Sequence, residues 1–181
     1  MYGTDEKIIA LDKKKLRSTV IISYSFIIVI FLTFFLEDRK IPWLGQYISP
    51  FILQALGVLC ALFFIACAAI GSIKLTDNKP GLILNSTGLL DNSSGLSAGI
   101  IPWHEIVGFD VFQLQSLKIL IIKVRDPQKY ILRGNPLQRL FNWINFKLCD
   151  SPISITPESL NLNFEELEEM ITRYHTKYGV K

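Results

Sequence analysis

Two long runs of uncharged, apolar residues constrain the fold of this chain more than any other feature. The first, TVIISYSFIIVIFLTFFL, covers residues 19–36, and the second, ISPFILQALGVLCALFFIACAAIGSI, covers residues 48–73. A helix of about 20 apolar residues crosses the hydrocarbon core of a bilayer. The first run is too long for the core of a signal peptide and is followed by the charged residues EDRK. We therefore predict two transmembrane helices, joined by an external loop at residues 37–47.

The composition agrees with a membrane component. Hydrophobic residues make up 50% of the 181 residues, which is high for a soluble domain of this length. The net charge of +3 is too small to favour a nucleic-acid partner, and no basic cluster interleaved with aromatic residues occurs. The three cysteines, Cys60, Cys67 and Cys149, form neither a disulfide framework nor a zinc-binding spacing. We expect no nucleic acid, metal or cofactor to bind.

The Lys and Arg residues outside the two runs predict the orientation of the helices. Five of them lie in residues 1–18 and two closely follow the second run, whereas the connecting loop contains Arg39 and Lys40 alone. Cytoplasmic segments carry the excess of basic residues in membrane proteins. We expect both termini to be cytoplasmic, with residues 1–18 as a basic segment and residues 74–181 as a domain.

Small residues recur along one face of the second predicted helix, at Gly57, Ala61, Ala68 and Gly71. Such a face lets two helices approach closely. It could contact the first helix or mediate self-association, and we favour the first helix because a short loop makes the two helices neighbours. Neither run contains Asp, Glu, Lys, Arg or His. Their absence argues against a proton or ion pathway.

The pattern changes after residue 74, where short apolar stretches alternate with turn residues. This pattern predicts short antiparallel strands in a sheet bent into a barrel or sandwich. The alternation of apolar residues slips between Val111 and Phe112, which predicts a bulge at that point. The predicted strands have the sequences GLILN, LLDN, IIPW, VGFDVFQLQ, LKILIIKV, KYIL and SPISIT.

Two helices are predicted among and after these strands. Asn135 and Pro136 are a favourable pair for the start of a helix that extends to Leu148. Asn163 and Glu166 form a capping-box pattern at the start of the last helix. We expect the buried face of that last helix to contain Leu167, Met170, Ile171, Tyr174 and Tyr178.

This order of elements, with GLILNSTGLLDN, GIIPWHEIVGF and FEELEEMITRY, resembles a family of small uncharacterised bacterial membrane proteins. Members of that family have two transmembrane helices and a pleckstrin-homology-like (PH-like) cytoplasmic domain. The resemblance implies an α+β membrane protein: a two-helix hairpin, then a bent antiparallel sheet or barrel capped by a C-terminal helix. It also implies the bacterial cytoplasmic (inner) membrane as the location. It implies no catalytic residues and no enzymatic activity.

The stretch IIPWHEI, residues 100–106, could be a site or a structural anchor. An enzyme would need His104 to be oriented by Glu105, but adjacent residues on a strand point to opposite faces. Pro102 suits the start or edge of a strand, and Trp103 can bury its ring against the last helix. Ile106 then restarts the apolar face. We therefore interpret Pro102, Trp103 and Ile106 as structural anchors.

A basic region between Lys118 and Lys147 is the better candidate for an interaction surface. Within it, Arg133, Arg139, Trp143 and Lys147 could lie against anionic lipid headgroups, since basic helices with aromatic residues bind membrane surfaces. The competing interpretation, which we favour, is that the helix docks on the sheet through its apolar face with its bases solvated. That face comprises Leu137, Leu140, Phe141 and Ile144.

Two functions follow from these patterns. The first is a non-enzymatic, membrane-anchored PH-like module that binds a lipid headgroup or a protein. The alternative is an assembly or structural subunit that associates with other membrane proteins through its transmembrane helices. The lipid bilayer is the expected partner in both cases.

Overall fold

The computed structural model describes residues 5–35, 49–95, 97–115 and 117–179. The predicted external loop at residues 37–47 therefore lies outside the described residues. The chain forms two compact units, one of residues Lys13–Asp77 and the other of Met1–Asp12 together with Asn78–Lys181. The first unit is helical. The second contains two antiparallel sheets and a C-terminal helix, so the protein belongs to the α+β class.

The helical unit consists of α1, Lys13–Phe35, and α2, Pro50–Thr76. They cover residues 19–35 of the first predicted apolar run and 50–73 of the second, and each helix is long and apolar enough to cross a membrane. The helices pack on each other through Val20 and Ser23 of α1 and Ala68 of α2, which are all buried. The rings of Phe26 and Phe64 stack with their centroids 4.6 Å apart.

The first residue of α1 lies at the end of α2. The Lys13 ammonium donates hydrogen bonds to the backbone carbonyls of Lys74 (3.0 Å), Leu75 (2.8 Å) and Asp77. The last carbonyls of a helix lack partners within it and carry partial negative charge, so a cation stabilises this position. The two helices are therefore antiparallel, with the start of α1 beside the end of α2.

The described residues of the second unit form seven strands in two antiparallel sheets. The first sheet has the order β1-β2-β3-β4 and the second has the order β5-β6-β7. The strands are β1 (Lys7–Ile9), β2 (Leu82–Leu84), β3 (Gly88–Asp91), β4 (Gly99–Pro102), β5 (Ile106–Leu114), β6 (Leu117–Val124) and β7 (Ile153–Ile155).

The strand β1 was not predicted. It shows that the second unit is formed by chain segments on both sides of the helical unit. It precedes α1 and pairs with β2, which follows α2, with Ile9 opposite Leu82. The backbone amide of Asp12 also donates to the carbonyl of Ser159 (2.9 Å). The helical unit is thus inserted between two neighbouring strands of one sheet.

Three helices complete the second unit: α3 (Pro127–Ile131), α4 (Pro136–Cys149) and α5 (Phe164–Tyr178). The capping box between Asn163 and Glu166 is confirmed, with both reciprocal hydrogen bonds present. The helix α5 buries Phe164, Leu167, Ile171 and Tyr174. The remaining large, fully buried side chains come mainly from the strands, and they include Leu82, Leu84, Leu89, Ile101, Leu120, Ile122 and Ile155.

Two local predictions are wrong. The segment KYIL is not a strand, because Asp126 and Pro127 start the short helix α3 and the Asp126 carboxylate accepts from the amide of Lys129 (3.3 Å). The bulge in β5 lies between Ile106 and Gly108 rather than at Val111. The alternation of apolar and polar residues slips at Phe112 for another reason. Phe112 and Leu114 are both exposed near the end of the β5–β6 hairpin.

Candidate functional site

The helix α4 starts where the sequence predicts it. The Asn135 side chain accepts from the amide of Gln138, and the Gln138 side chain accepts from the amide of Asn135, both at 2.9 Å. Pro136 occupies the first turn, where a missing amide hydrogen costs nothing. Asp150 ends the helix in the left-handed conformation, with φ of 54°. These local contacts fix the bounds of α4 but not the face that it presents to the domain.

A row of amide side chains docks α4 on the rest of the domain. Asn142 is buried and donates to the carbonyl oxygen of Tyr130 (3.0 Å) in α3. Asn145 donates to the Ser154 hydroxyl (3.0 Å) in β7, and Gln138 donates to the carbonyl of Gly95 (3.3 Å). Spacings of four and three residues place these amides on one side of the helix. The polar side of α4 therefore faces inwards.

The apolar stripe of α4 faces outwards. Leu140 is 51% exposed and Leu148 is 74% exposed, and Leu137 and Phe141 are exposed too. The prediction that this stripe forms a core face is wrong. A buried amide must find a hydrogen-bond partner, and the available partners lie on α3, β7 and the loop after β3. The helix is oriented by its amides, and Leu137, Leu140, Phe141 and Leu148 are left exposed.

Basic and aromatic side chains flank this outward face. Arg139, Trp143 and Lys147 are all exposed, and the Lys147 ammonium lies 5.8 Å from the centroid of the Trp143 ring. Arg139 donates through Nε to the carbonyl of Gly134 (3.1 Å). No Asp or Glu occurs within α4. The face therefore combines an apolar stripe with exposed basic side chains, and Asp150 directly follows the helix.

Arg133 has a different position from the other three predicted surface residues. Its guanidinium donates to the carbonyls of Ala98 (2.8 Å) and Ile100 (2.9 Å) and lies 4.4 Å from the centroid of the Tyr130 ring. These contacts tie the loop between α3 and α4 to β4. Arg133 thus holds the base of α4 in place, while Arg139, Trp143 and Lys147 belong to the outward face.

Most other bases of the region are engaged by carboxylates. Lys118 pairs with Glu165 (2.7 Å), Lys123 with Asp110 (3.2 Å) and Lys129 with Glu105 (2.5 Å). Within the described parts of the chain, Arg125, Arg139 and Lys147 are the bases between Lys118 and Lys147 that contact neither a carboxylate nor a set of backbone carbonyls. Two of these three lie on α4, where Lys147 stands beside the apolar stripe and Arg139 projects further round the helix.

A cleft of about 340 Å³ extends this face beyond the end of α4. Its lining combines the apolar side chains Val111, Phe112, Phe146 and Leu148 with the charged side chains Asp110, Lys147 and Asp150. The cleft is therefore of mixed polarity, although Val111 and Phe112 are themselves exposed. We call the side chains of Leu137, Leu140, Phe141, Ile144 and Leu148, with Arg139, Trp143 and Lys147, the α4 face.

Of the predicted anchors around IIPWHEI, Trp103 and Ile106 are buried and Pro102 is half-buried. Trp103 is 2% exposed and donates from Nε1 to the carbonyl of Asn85 (2.8 Å). Its ring centroid lies 6.2 Å from those of Tyr174 and His175 in α5. Pro102 ends β4 opposite Gly88, and Ile106 is buried at the start of β5. The structure thus places Trp103 between the first sheet and the last helix.

His104 and Glu105 lie in a 3₁₀ turn, Trp103–Glu105, and not on a strand. The expectation that they point to opposite faces is therefore wrong, and the His104 Nε2 lies 3.9 Å from a Glu105 carboxylate oxygen. The Glu105 carboxylate accepts from Lys129 and from the Tyr130 hydroxyl (2.6 Å), and these bonds lower its pKa. Burial and the bond to Glu105 raise the pKa of Tyr130. Glu105 is held ionised, which makes it a weak base.

The small residues of α2 lie in two environments. Ala68 and Gly71 are buried in the helical unit, and a Cβ added at Gly71 would lie 2.6 Å from a methyl carbon of Val20. Gly57 and Ala61 are partly exposed. The part of the stripe near the end of α2 is therefore occupied by packing against α1.

One charged cluster gave no signal in the sequence. The Asp5 carboxylate accepts hydrogen bonds from the ammonium of Lys177 and from the hydroxyl of Tyr178 (2.6 Å). These bonds lower the pKa of Asp5 and raise that of Lys177. The cluster joins the segment before β1 to the end of α5. Its members stand near the two ends of the chain, so no local spacing could reveal them.

No protein family, curated protein or solved structure matches this chain. Among the described residues, no group of three His, Cys, Asp or Glu side chains is arranged to hold a metal ion. Among the described residues, the α4 face gathers several exposed apolar side chains on one helix, while other exposed apolar residues, such as Ile100 and Val107, lie on strands.

Proposed function

We propose that this protein is a non-enzymatic, membrane-anchored binding module, in which a two-helix anchor carries a PH-like domain and the α4 face is the binding surface. The observation that carries the proposal is the orientation of α4, which docks by Gln138, Asn142 and Asn145 and leaves its apolar stripe outside. Exposed apolar surface of this kind, rimmed by polar residues, is typical of interaction sites.

The low burial of the two apolar helices supports membrane anchoring. Only 11% of each apolar span is buried inside the protein, whereas the core helix of a soluble protein is mostly buried. Large apolar side chains such as Phe31, Leu59 and Phe63 are more than half exposed. A bilayer would cover this apolar surface and keep it out of contact with water.

The pairing of β1 with β2 supports the placement of both ends of the α1–α2 hairpin on the same side of the membrane. The chain leaves β1 at Ile9, enters α1 at Lys13, leaves α2 at Thr76 and returns to β2 at Leu82. Since Ile9 and Leu82 are neighbours in one sheet, a spanning hairpin must begin and end on the same face of the bilayer. The excess of bases at these ends favours the cytoplasmic face, and the resemblance favours a bacterial inner membrane.

The strand arrangement supports a PH-like domain. Antiparallel sheets of four and three strands are followed by the helix α5, which closes the core with Leu167 and Ile171. Antiparallel sheets followed by a C-terminal helix agree with the plan that the resemblance implies. The helix α4, inserted between β6 and β7, is an addition to that plan, and the proposed binding surface lies on it.

The environment of His104 and Glu105 supports a non-enzymatic role. The carboxylate of Glu105 is engaged by two donors, and the His104 side chain is 63% exposed. A general base needs a pKa near the working pH and a proton within reach. The lowered pKa of Glu105 moves it away from that condition.

Co-purification tests the proposed function. The full-length protein would be extracted from native membranes in mild detergent, and its bound lipids and proteins identified by mass spectrometry. A variant with Leu140→Gln and Phe141→Gln should lose a component that the wild type retains. The matched control, Ile100→Gln with Val107→Gln, alters two exposed apolar residues outside α4 and should retain it. Identical components in all three proteins would overturn the proposal.

A further inference from the structure

We infer that the α4 face binds an anionic phospholipid surface, with the helix lying in the plane of the interface and its apolar stripe among the acyl chains. This deepens the proposed function and rests on it. The occupant follows from three features of the molecule: the charge of α4, the positions of its flanking side chains and the length of chain that ties the domain to its anchor.

The charge of α4 favours an anionic partner. The helix contains Arg139 and Lys147 and no acidic side chain, and neither base is engaged by a carboxylate within the described residues. Nearby bases on β6 and α3, in contrast, are neutralised by Asp110 and Glu105. A base close to an anionic bilayer contributes to binding by attraction to the lipid headgroups. The α4 face therefore has the charge that an anionic lipid surface attracts.

The positions of the flanking side chains favour a lipid interface over a protein groove. With about 3.6 residues per turn, Leu137, Leu140, Phe141, Ile144 and Leu148 project to one side, and Trp143 and Lys147 stand beside that stripe. A helix in the interface buries its apolar face among headgroups and acyl chains. Trp prefers the boundary between water and hydrocarbon, and a long Lys side chain reaches back to the headgroups.

The rigid docking of α4 lowers the cost of binding. Many interfacial helices fold only on contact with lipid and lose conformational entropy when they do so. Here the capping box at Asn135 and the amide contacts of Asn142 and Asn145 already form the helix and fix its outward face. The surface is thus preorganised for a flat partner.

The short connections to the hairpin favour lipid over a soluble partner. Residues 10–12 join β1 to α1, and residues 77–81 join α2 to β2. With α1 and α2 in a bilayer, these connections hold the domain near lipid headgroups at all times. Binding of α4 is then an intramolecular step with a high effective concentration. A weak affinity of α4 alone for lipid is then sufficient to keep the helix bound to the bilayer.

The fluorescence of Trp143 reports on this contact in the full-length protein. The Trp43→Phe variant would be reconstituted into nanodiscs of phosphatidylglycerol or phosphatidylcholine with brominated acyl chains, which quench only tryptophan that enters the bilayer. Subtracting the signal of the same protein with Trp143→Phe isolates Trp143, since Trp103 is buried in both. We expect Trp143 to be quenched in phosphatidylglycerol, protected from acrylamide there, and less quenched in phosphatidylcholine or at high salt.

Charge variants make the test specific. Lys147→Gln should lower the ratio of bilayer-bound to unbound α4 about fivefold. Arg125→Gln removes the same charge from an exposed position outside α4 and should leave the ratio unchanged.

Two results would overturn the inference: Trp143 that stays open to acrylamide in phosphatidylglycerol, or equal effects of the two charge variants. If Trp143 stays in water while a protein that depends on Leu140 and Phe141 co-purifies, the proposed function stands and the lipid partner is wrong. If neither lipid nor protein depends on these residues, both are wrong.

Discussion

The side-chain amide of Asn142 donates a hydrogen bond of 3.0 Å to the carbonyl oxygen of Tyr130. This bond joins the middle of α4 to the end of α3 at a buried position. Together with the contacts of Gln138 and Asn145, it holds the polar side of α4 against the domain, and most of the apolar stripe is left exposed. The proposed binding surface therefore depends on these amides, of which Asn142 is the buried one.

Replacing that amide should destabilise the domain. Asn142→Leu removes one of two hydrogen bonds that the Tyr130 carbonyl accepts, the other coming from the amide of Arg133 (3.2 Å), and should cost about 0.5–1.5 kcal/mol of unfolding free energy. Thermal unfolding of the full-length protein in detergent measures the change. The control Asn161→Leu, at an exposed position, should shift the midpoint little. Equal midpoints for Asn142→Leu and the wild type would show that the amide does not orient α4.

Trp103 should matter for folding and His104 should not. Trp103→Ala removes a fully buried ring between the first sheet and α5, and we expect a loss of about 3–5 kcal/mol. His104→Ala removes an exposed side chain, for which changes within about 0.5 kcal/mol are usual. Thermal or denaturant unfolding compares the two. A large loss with His104→Ala would assign this turn a role beyond anchoring the strand.

The contact between Gly71 and Val20 should be tight. A Cβ at position 71 would lie 2.6 Å from a Val20 methyl carbon, so Gly71→Ala should separate α1 from α2 and lower the unfolding midpoint in detergent. Val20→Ala removes that methyl and should restore part of the loss. Gly57→Ala, at a partly exposed position, serves as the matched control. Failure of Val20→Ala to rescue Gly71→Ala would contradict this packing.

The Asp5 cluster should make stability depend on pH in acid. Hydrogen bonds from Lys177 and Tyr178 lower the pKa of Asp5 below its ordinary value of 3.8 in the folded protein. A lowered pKa contributes stability above the unfolded pKa, and this contribution disappears as pH falls through the folded pKa. The difference in unfolding midpoint between wild type and Asp5→Asn should thus be constant near neutrality and shrink below about pH 4. Because other carboxylates titrate in both proteins, the difference isolates Asp5. A difference that does not change with pH would contradict the cluster.

Local chemistry made part of the fold predictable from the sequence. The starts of α4 and α5 depend on Asn135 and Asn163, whose partners lie three residues further along the chain. The apolar runs depend on composition alone. The burial of Trp103 followed from its size and its place behind a proline. Each of these features is decided by residues within a short window.

The features that sequence reasoning missed depend on distant partners. The strand β1 has three residues, and its partner β2 lies beyond the whole helical unit. The periodicity of α4 showed that it is amphipathic but not which side docks. That choice depends on the Tyr130 carbonyl, the Ser154 hydroxyl and the Gly95 carbonyl, which only the folded chain brings to the helix.

A photoreactive amino acid at position 140 tests most directly what the α4 face contacts. Benzoylphenylalanine in place of Leu140 would be activated by light in native membranes, and the products of the full-length protein analysed by intact mass. We predict a phospholipid adduct at position 140 and none from the same residue at the exposed position Val107. Equal products at both positions, or a protein adduct in place of lipid at position 140, would contradict binding of α4 to the membrane surface.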